Sequence, residues 1–206
     1  MNKQHLTASA LLASALVLTA CGGSDDTATT SSGTTSSGTT SSDTSTETAE
    51  ANDADIAFLT GMTPHHEQAV EMSEMVLAAD PPADVAAIAE QIKDAQGPEI
   101  EQMKAMLADL GQDAEGAAHS GGHSAGMAGH GGMMDDGDMA ALMDATGADA
   151  ARLYLEGMIR HHEGAIEASD TEIADGQYAP AVELAKEIKQ AQAAEITEMQ
   201  ALLSAL

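Results

Sequence analysis

Two short segments carry the residues best suited to chemistry. Gly61-Met62, His65-His66-Glu67 and Ala69 recur as Gly157-Met158, His161-His162-Glu163 and Ala165. At about 100° per residue, Met62, His65, His66, Ala69 and Met72 share one broad helix face. Met158, His161, His162 and Ala165 repeat that face, with Ala168 at the position of Met72, so the second copy lacks one thioether. The adjacent histidines of each pair lie about 100° apart on a helix. One of each pair is therefore expected to face the core and its neighbour the rim. A methionine on an apolar stripe is ordinarily core filler, and a lone buried histidine is ordinarily a satisfied polar group. Four imidazoles kept in register in an otherwise apolar core are harder to explain that way. Burying them without partners costs desolvation free energy, and metal ligation is the chemistry that would recover it.

A second concentration of such residues follows, in His119-Ser-Gly-Gly-His123-Ser-Ala-Gly-Met127-Ala-Gly-His130-Gly-Gly-Met133-Met134. The bland reading is a low-complexity linker. Glycine is too frequent for a packed stripe, however, and methionine in such a segment has no packing reason. His-rich tracts suggest metal capture. Histidine with thioether sulfur and no thiol points to Cu(I), with Ag(I) as its surrogate, because both ions are soft. Copper(II) could use the histidines more weakly. Zinc ordinarily draws on Cys, His or carboxylates in a tetrahedral set and ranks last.

Other chemistries are poorly supported. The single cysteine, Cys21, excludes a disulfide framework and an iron–sulfur cluster. A di-iron bundle would want Glu-x-x-His on two helices, and neither copy contains it. No phosphate loop, nucleophile elbow or His-Glu-x-x-His is present. With 34 acidic and 7 basic residues the formal charge is −27, which repels a phosphate backbone and argues against nucleic acid. Phe58, Tyr154 and Tyr178 are the only aromatics, against 13 methionines, so base-stacking surfaces and an aromatic-rich β-sandwich are implausible.

The elements that must position the histidines come from a duplication. Residues 53–110 match residues 149–206 at a constant offset of 96 with no gap. Ala89, Ile92, Gln96, Glu99, Ile100, Met103, Leu107 and Leu110 each find an identical residue 96 positions on, which is the signature of an internal repeat. Each copy reads as two helices. In the first copy they span about Asp53–Ala79 and about Ala83–Leu110, separated by Asp80-Pro81-Pro82. Gly97-Pro98 is expected to kink or break the second helix, whereas Ala193-Ala194 lets its counterpart run straight. Asp175-Gly176 ends the first helix of the second copy and Pro180 opens the next. A single hairpin buries only one stripe, so two packed face to face should form an all-α, ferritin-like four-helix bundle, with the acidic surplus outside. The connector covers residues 111–148.

The N-terminus reads as an export signal over residues 1–20: Lys3, then an apolar stretch to Ala20 that is too short for a comfortable transmembrane helix. Leu18-Thr19-Ala20-Cys21 matches the bacterial lipobox, which makes Cys21 the expected lipidation site and a membrane the expected partner. Residues 22–50 are almost all Gly, Ser, Thr, Asp and Ala. They should not bury apolar surface and are expected to be a disordered tether between Cys21 and a domain over residues 51–206.

With these motifs in hand, residues 53–206 resemble domain-of-unknown-function family 305, the CopM-like copper-binding proteins. The resemblance rests on Gly61-Met62, His65-His66-Glu67, Glu99-Ile100 and Met103, and on their repeats Gly157-Met158, His161-His162-Glu163, Glu195-Ile196 and Met199. It implies a ferritin-like four-helix fold and exported Cu(I)/Ag(I) binding linked to copper tolerance. The expected protein is a lipid-anchored copper buffer or chaperone of the cell envelope, not an enzyme, with a copper-handling protein of unknown identity as a candidate partner. The alternatives are a ferritin-like metal oxidase and a metal-independent envelope lipoprotein.

Overall fold

A computed structural model describes residues 50–112 and 131–206. Its helices are α1 (Asp53–Ala78), α2 (Ala83–Asp109), α3 (Asp136–Asp144), α4 (Gly147–Asp175) and α5 (Ala179–Ala205). No strand occurs among the described residues. The four long helices begin and end within one or two residues of the positions the sequence suggests.

Local chemistry sets those ends. The Asn52 side chain accepts from the Ala54 and Asp55 amides, and Asp55 in turn accepts from the Asn52 amide at 2.6 Å, a closed capping box. Asp80, with φ of 53°, turns the chain after α1, and the two following prolines cannot resume it. The expected interruption at Gly97-Pro98 is not found as a break: α2 is one helix through Pro98. Its apolar stripe is long enough on both sides of the proline to hold it together, with Val85, Ile88 and Ile92 before and Ile100, Met103 and Leu107 after. α1 likewise continues through Pro64.

Each hairpin packs along its whole length, α1 on α2 and α4 on α5, and the two meet mainly through α1 and α4. That contact is antiparallel. Gly147 N donates to Ala79 O at one end, Ser73 lies against Tyr154, His65 against His161, and Asp55 reaches the backbone of Gln177 and Tyr178 at the other end. The apolar core falls into two clusters. One gathers Met72, Val76, Ile88, Leu142, Leu155 and Met158, and the other Phe58, Leu59, Met62, Met103, Leu107 and Leu184. The histidines lie between them in sequence on both α1 and α4, so a polar layer separates two apolar ones.

The connector is more ordered at its end than its composition suggests. Residues 136–144 form α3, capped by Asp135, with Leu142 fully buried, and Met134 is buried before it. The acidic surplus is also not wholly external. Asp55 and Glu172 are buried together near the α4–α5 turn. Burial would raise the Asp55 carboxyl, but hydrogen bonds from the Asn52, Tyr178 and Gln177 backbones outweigh it and hold it below the usual range. Burial, and then the neighbouring Asp55, push Glu172 up to about 8. Glu172 thus keeps its proton when folded at pH values where the unfolded chain has lost it. Stability should fall as pH rises from about 4.5, the ordinary value, to about 8, and then level off. Glu172→Gln should flatten that decline, which urea midpoints across this pH range will measure.

Candidate metal centre

All four histidines are fully buried. This corrects the expectation that one of each pair would face the rim. The 100° spread still falls inside the protein because α1 and α4 are each covered on two sides, by their own hairpin partner and by each other. The first histidine of each pair points across the hairpin interface. The His65 and His161 ring centroids are 3.6 Å apart, with planes inclined at 39°. The second points into its own hairpin: His66 Nε2 donates to Glu99 Oε2 at 2.9 Å, and His162 Nε2 donates to Glu195 Oε2 at 2.8 Å. Within each pair the centroids are 6.4 Å apart. The two copies are therefore related by a pseudo-twofold axis through the His65–His161 contact.

The protonation of these rings follows from their partners. A carboxylate or carbonyl accepts only from N–H. His66 and His162 thus carry hydrogen on Nε2, as does His65, whose Nε2 lies 3.1 Å from Gly131 O. A neutral ring held this way has its lone pair on Nδ1. The Nδ1 atoms of His66 and His162, and both ring nitrogens of His161, are buried without a hydrogen-bond partner among the described residues. Burial, followed by the neighbouring His65, His162 and His66, outweighs the pull of the His65 backbone and pushes the His161 ring well below the ordinary histidine range. Burial also lowers His162, against the pull of Glu195. Burial thus favours the neutral form of His161 and His162, the form that ligates metal.

Buried methionines flank the histidine layer on both sides. Met62 and Met158 are buried in the two apolar clusters, in register about the pseudo-axis, and Met72 and Met134 join Met158 in one of them. A Cβ placed on Gly157 would meet Met134 Sδ at 2.6 Å and Met72 Cε at 3.3 Å, so both thioethers sit over this glycine, one turn before His161. Met134, expected as part of a separate loop site, is instead packed against the helical set. Met133 beside it is partly exposed. His119, His123, Met127, His130 and Cys21 lie outside the described residues. No three His, Cys, Asp or Glu side chains among the described residues converge as a metal-holding group, so a metal held at the His65–His161 contact must draw on methionine as well.

Glu99 and Glu195 are site residues that an outward placement of the acidic surplus overlooks. Their signal was present, because they recur in register and lie 33 positions after His66 and His162. Three positions before each, Gln96 and Gln192 are buried with side-chain amides that reach no partner among the described residues. Glu67, by contrast, is exposed and pairs with Lys104. Glu195→Ala would leave the His162 N–H buried without an acceptor and should cost about 1–3 kcal/mol of stability. Glu163→Ala, at an exposed position, should cost under about 0.5 kcal/mol; denaturant unfolding of the two variants compares them.

Solved structures resemble the chain closely in fold. A DUF305 protein from Streptomyces coelicolor, described as secreted, superimposes with a TM-score of 0.67 at 27% identity, covering 73% of this chain and 92% of that one. A DUF305 fragment from Deinococcus radiodurans gives 0.65 at 28% identity, covering 76% and 99%. CopM in its Cu(I)-bound form gives 0.59 at 26% identity, covering 73% and 95%. CopM has also been solved with Cu(II) and with silver. No curated protein matches the sequence significantly. The model of the family described as "Domain of unknown function (DUF305)" matches residues 55–203, and with that match over most of its length this chain belongs to the DUF305 family.

Proposed function

We propose that the protein is an exported, lipid-anchored copper-binding protein that holds Cu(I), with Ag(I) as a surrogate, and acts as a metal buffer or chaperone in copper tolerance. The observation that carries this reading is the fully buried His161 ring, its centroid 3.6 Å from that of His65, with no side-chain hydrogen-bond partner among the described residues and with buried methionines on either side of the histidine layer. An uncompensated imidazole in an apolar interior is costly. A soft cation recovers that cost, because neutral nitrogen and sulfur donors bind it without requiring a buried countercharge. The copper- and silver-bound forms of CopM support the same choice of ion. Glu99 and Glu195 serve to fix the orientation and tautomer of His66 and His162, the role that outer carboxylates play for metal-ligating histidines. His119, His123, Met127, His130 and Met133 add a weaker, capacity-type site, since a glycine-rich sequence loses more conformational entropy on binding than a helical scaffold does. Cys21 and the segment after it tether the domain to the membrane, and the described helices include none long and apolar enough to cross one.

The thioether contribution is tested by the triple variant Met62→Leu, Met72→Leu and Met158→Leu. Volume and apolarity are kept, at usually under about 1.5 kcal/mol per site, and only sulfur is lost. Competition titration against a Cu(I) chelator should show at least about a tenfold loss of affinity, equivalent to about 1.4 kcal/mol, with Cu(II) binding largely retained. Unchanged Cu(I) affinity in the folded variant would make these methionines core filler. Cys21→Ala should release the protein from membranes. Fractionation of that variant with membranes, as for wild type, would contradict the lipid anchor.

A further inference from the structure

The duplication is not symmetric where the connector returns to the bundle, and the differences converge on one place. Gln68 grips the main chain of Met134 through both ends of its amide: Nε2 donates to Met134 O at 2.9 Å, and Met134 N donates to Oε1 at 2.9 Å. The counterpart of Gln68 in the second copy is Gly164. A Cβ there would lie 1.6 Å from Gly131 O and 2.2 Å from its carbonyl carbon, so only glycine lets the connector pass. Gly132, with φ of 83°, runs so close to α4 that its own Cβ would meet Arg160 O at 2.0 Å. One copy therefore grips the returning chain and the other clears space for it at the same repeat position. The second divergence, Met72 against Ala168, lies on the same side, since Met72 meets Met134 over Gly157.

We propose that residues 131–135 form a strap that delivers the Met134 thioether to a Cu(I) site on one side of the pseudo-twofold axis, with Met72, Met158 and His161 as its companions and with Gln68 and Gly164 as positioning residues. This rests on the copper reading above and sharpens it: the helical half-sites are unequal, and the soft site is completed by the connector. Gly131 O also accepts from His65 Nε2, so the seated strap holds the His65 ring as well as the Met134 sulfur.

The test uses the whole chain and Cu(I) itself. Met134→Leu removes the sulfur with the strap seated. Gly164→Ala expels the strap without touching a thioether, at a helical position where alanine favours the helix. Both variants should keep wild-type helicity, lose one sulfur from the Cu(I) coordination shell in X-ray absorption, and bind Cu(I) roughly 10–100-fold more weakly. A third variant, Gln68→Ala, supplies a readout that needs no metal, because exchange of the Met134 amide hydrogen should accelerate at least about tenfold. Wild-type protein that takes up Cu(I), with sulfur count and affinity unchanged in Met134→Leu and Gly164→Ala, would overturn the strap and leave the copper reading standing. Wild-type protein that takes up no Cu(I) would overturn both. An unchanged Met134 exchange rate in Gln68→Ala would overturn the clamp.

Discussion

The contact between the His65 and His161 rings, 3.6 Å apart at the crossing of α1 and α4, is the constraint that the rest of the structure accommodates. Two polar rings at the centre of a helix interface must be kept neutral, oriented and shielded. α2 and α5 bring Glu99 and Glu195 to the neighbouring His66 and His162. The apolar clusters above and below exclude water, and the end of the connector supplies a carbonyl to His65. Burial of this kind lowers stability in a protein that uses the histidines for nothing. The proposed metal site accounts for that cost being borne in both copies.

Duplication explains how such a site arises and why it is no longer symmetric. An ancestral hairpin with His-His on one helix and glutamate on the next would bury its histidines by pairing with a second copy, which places the first histidine of each pair on the axis. After fusion, the copies could diverge. Ser73 retains a buried contact with Tyr154 at 3.1 Å, whereas Ser169, its counterpart, lies in the repeat position opposite Phe58 and its hydroxyl has no partner among the described residues. Gln68 and Gly164, and Met72 and Ala168, have separated in the same way around the returning connector. Each difference breaks the pseudo-symmetry on behalf of one side.

Much of this was legible in the sequence. The 96-residue repeat and its proline and glycine stops located the four long helices, and the single apolar stripe of each hairpin pointed to the bundle. The four histidines announced themselves by register. Less legible were features that depend on a third direction of packing. An angular reading of one helix cannot show that α1 is covered on two sides, so His66 and His162 were expected nearer the rim than they are. Net charge directs attention to the surface and hid the half-buried Glu99 and the buried Glu195, Asp55 and Glu172, each of which has a specific donor or acidic neighbour. The glycine-rich connector has no periodicity before Asp136. The burial of Met134 was invisible because it depends on a glycine in α4 and an amide in α1.

The most direct measurement of the central claim is anomalous X-ray scattering from crystals of the protein loaded with Ag(I). The account predicts a strong peak between α1 and α4, bonded to a ring nitrogen of His161 and to methionine sulfur. Silver found only at surface carboxylates, with the His65–His161 contact intact and free of metal, would contradict it.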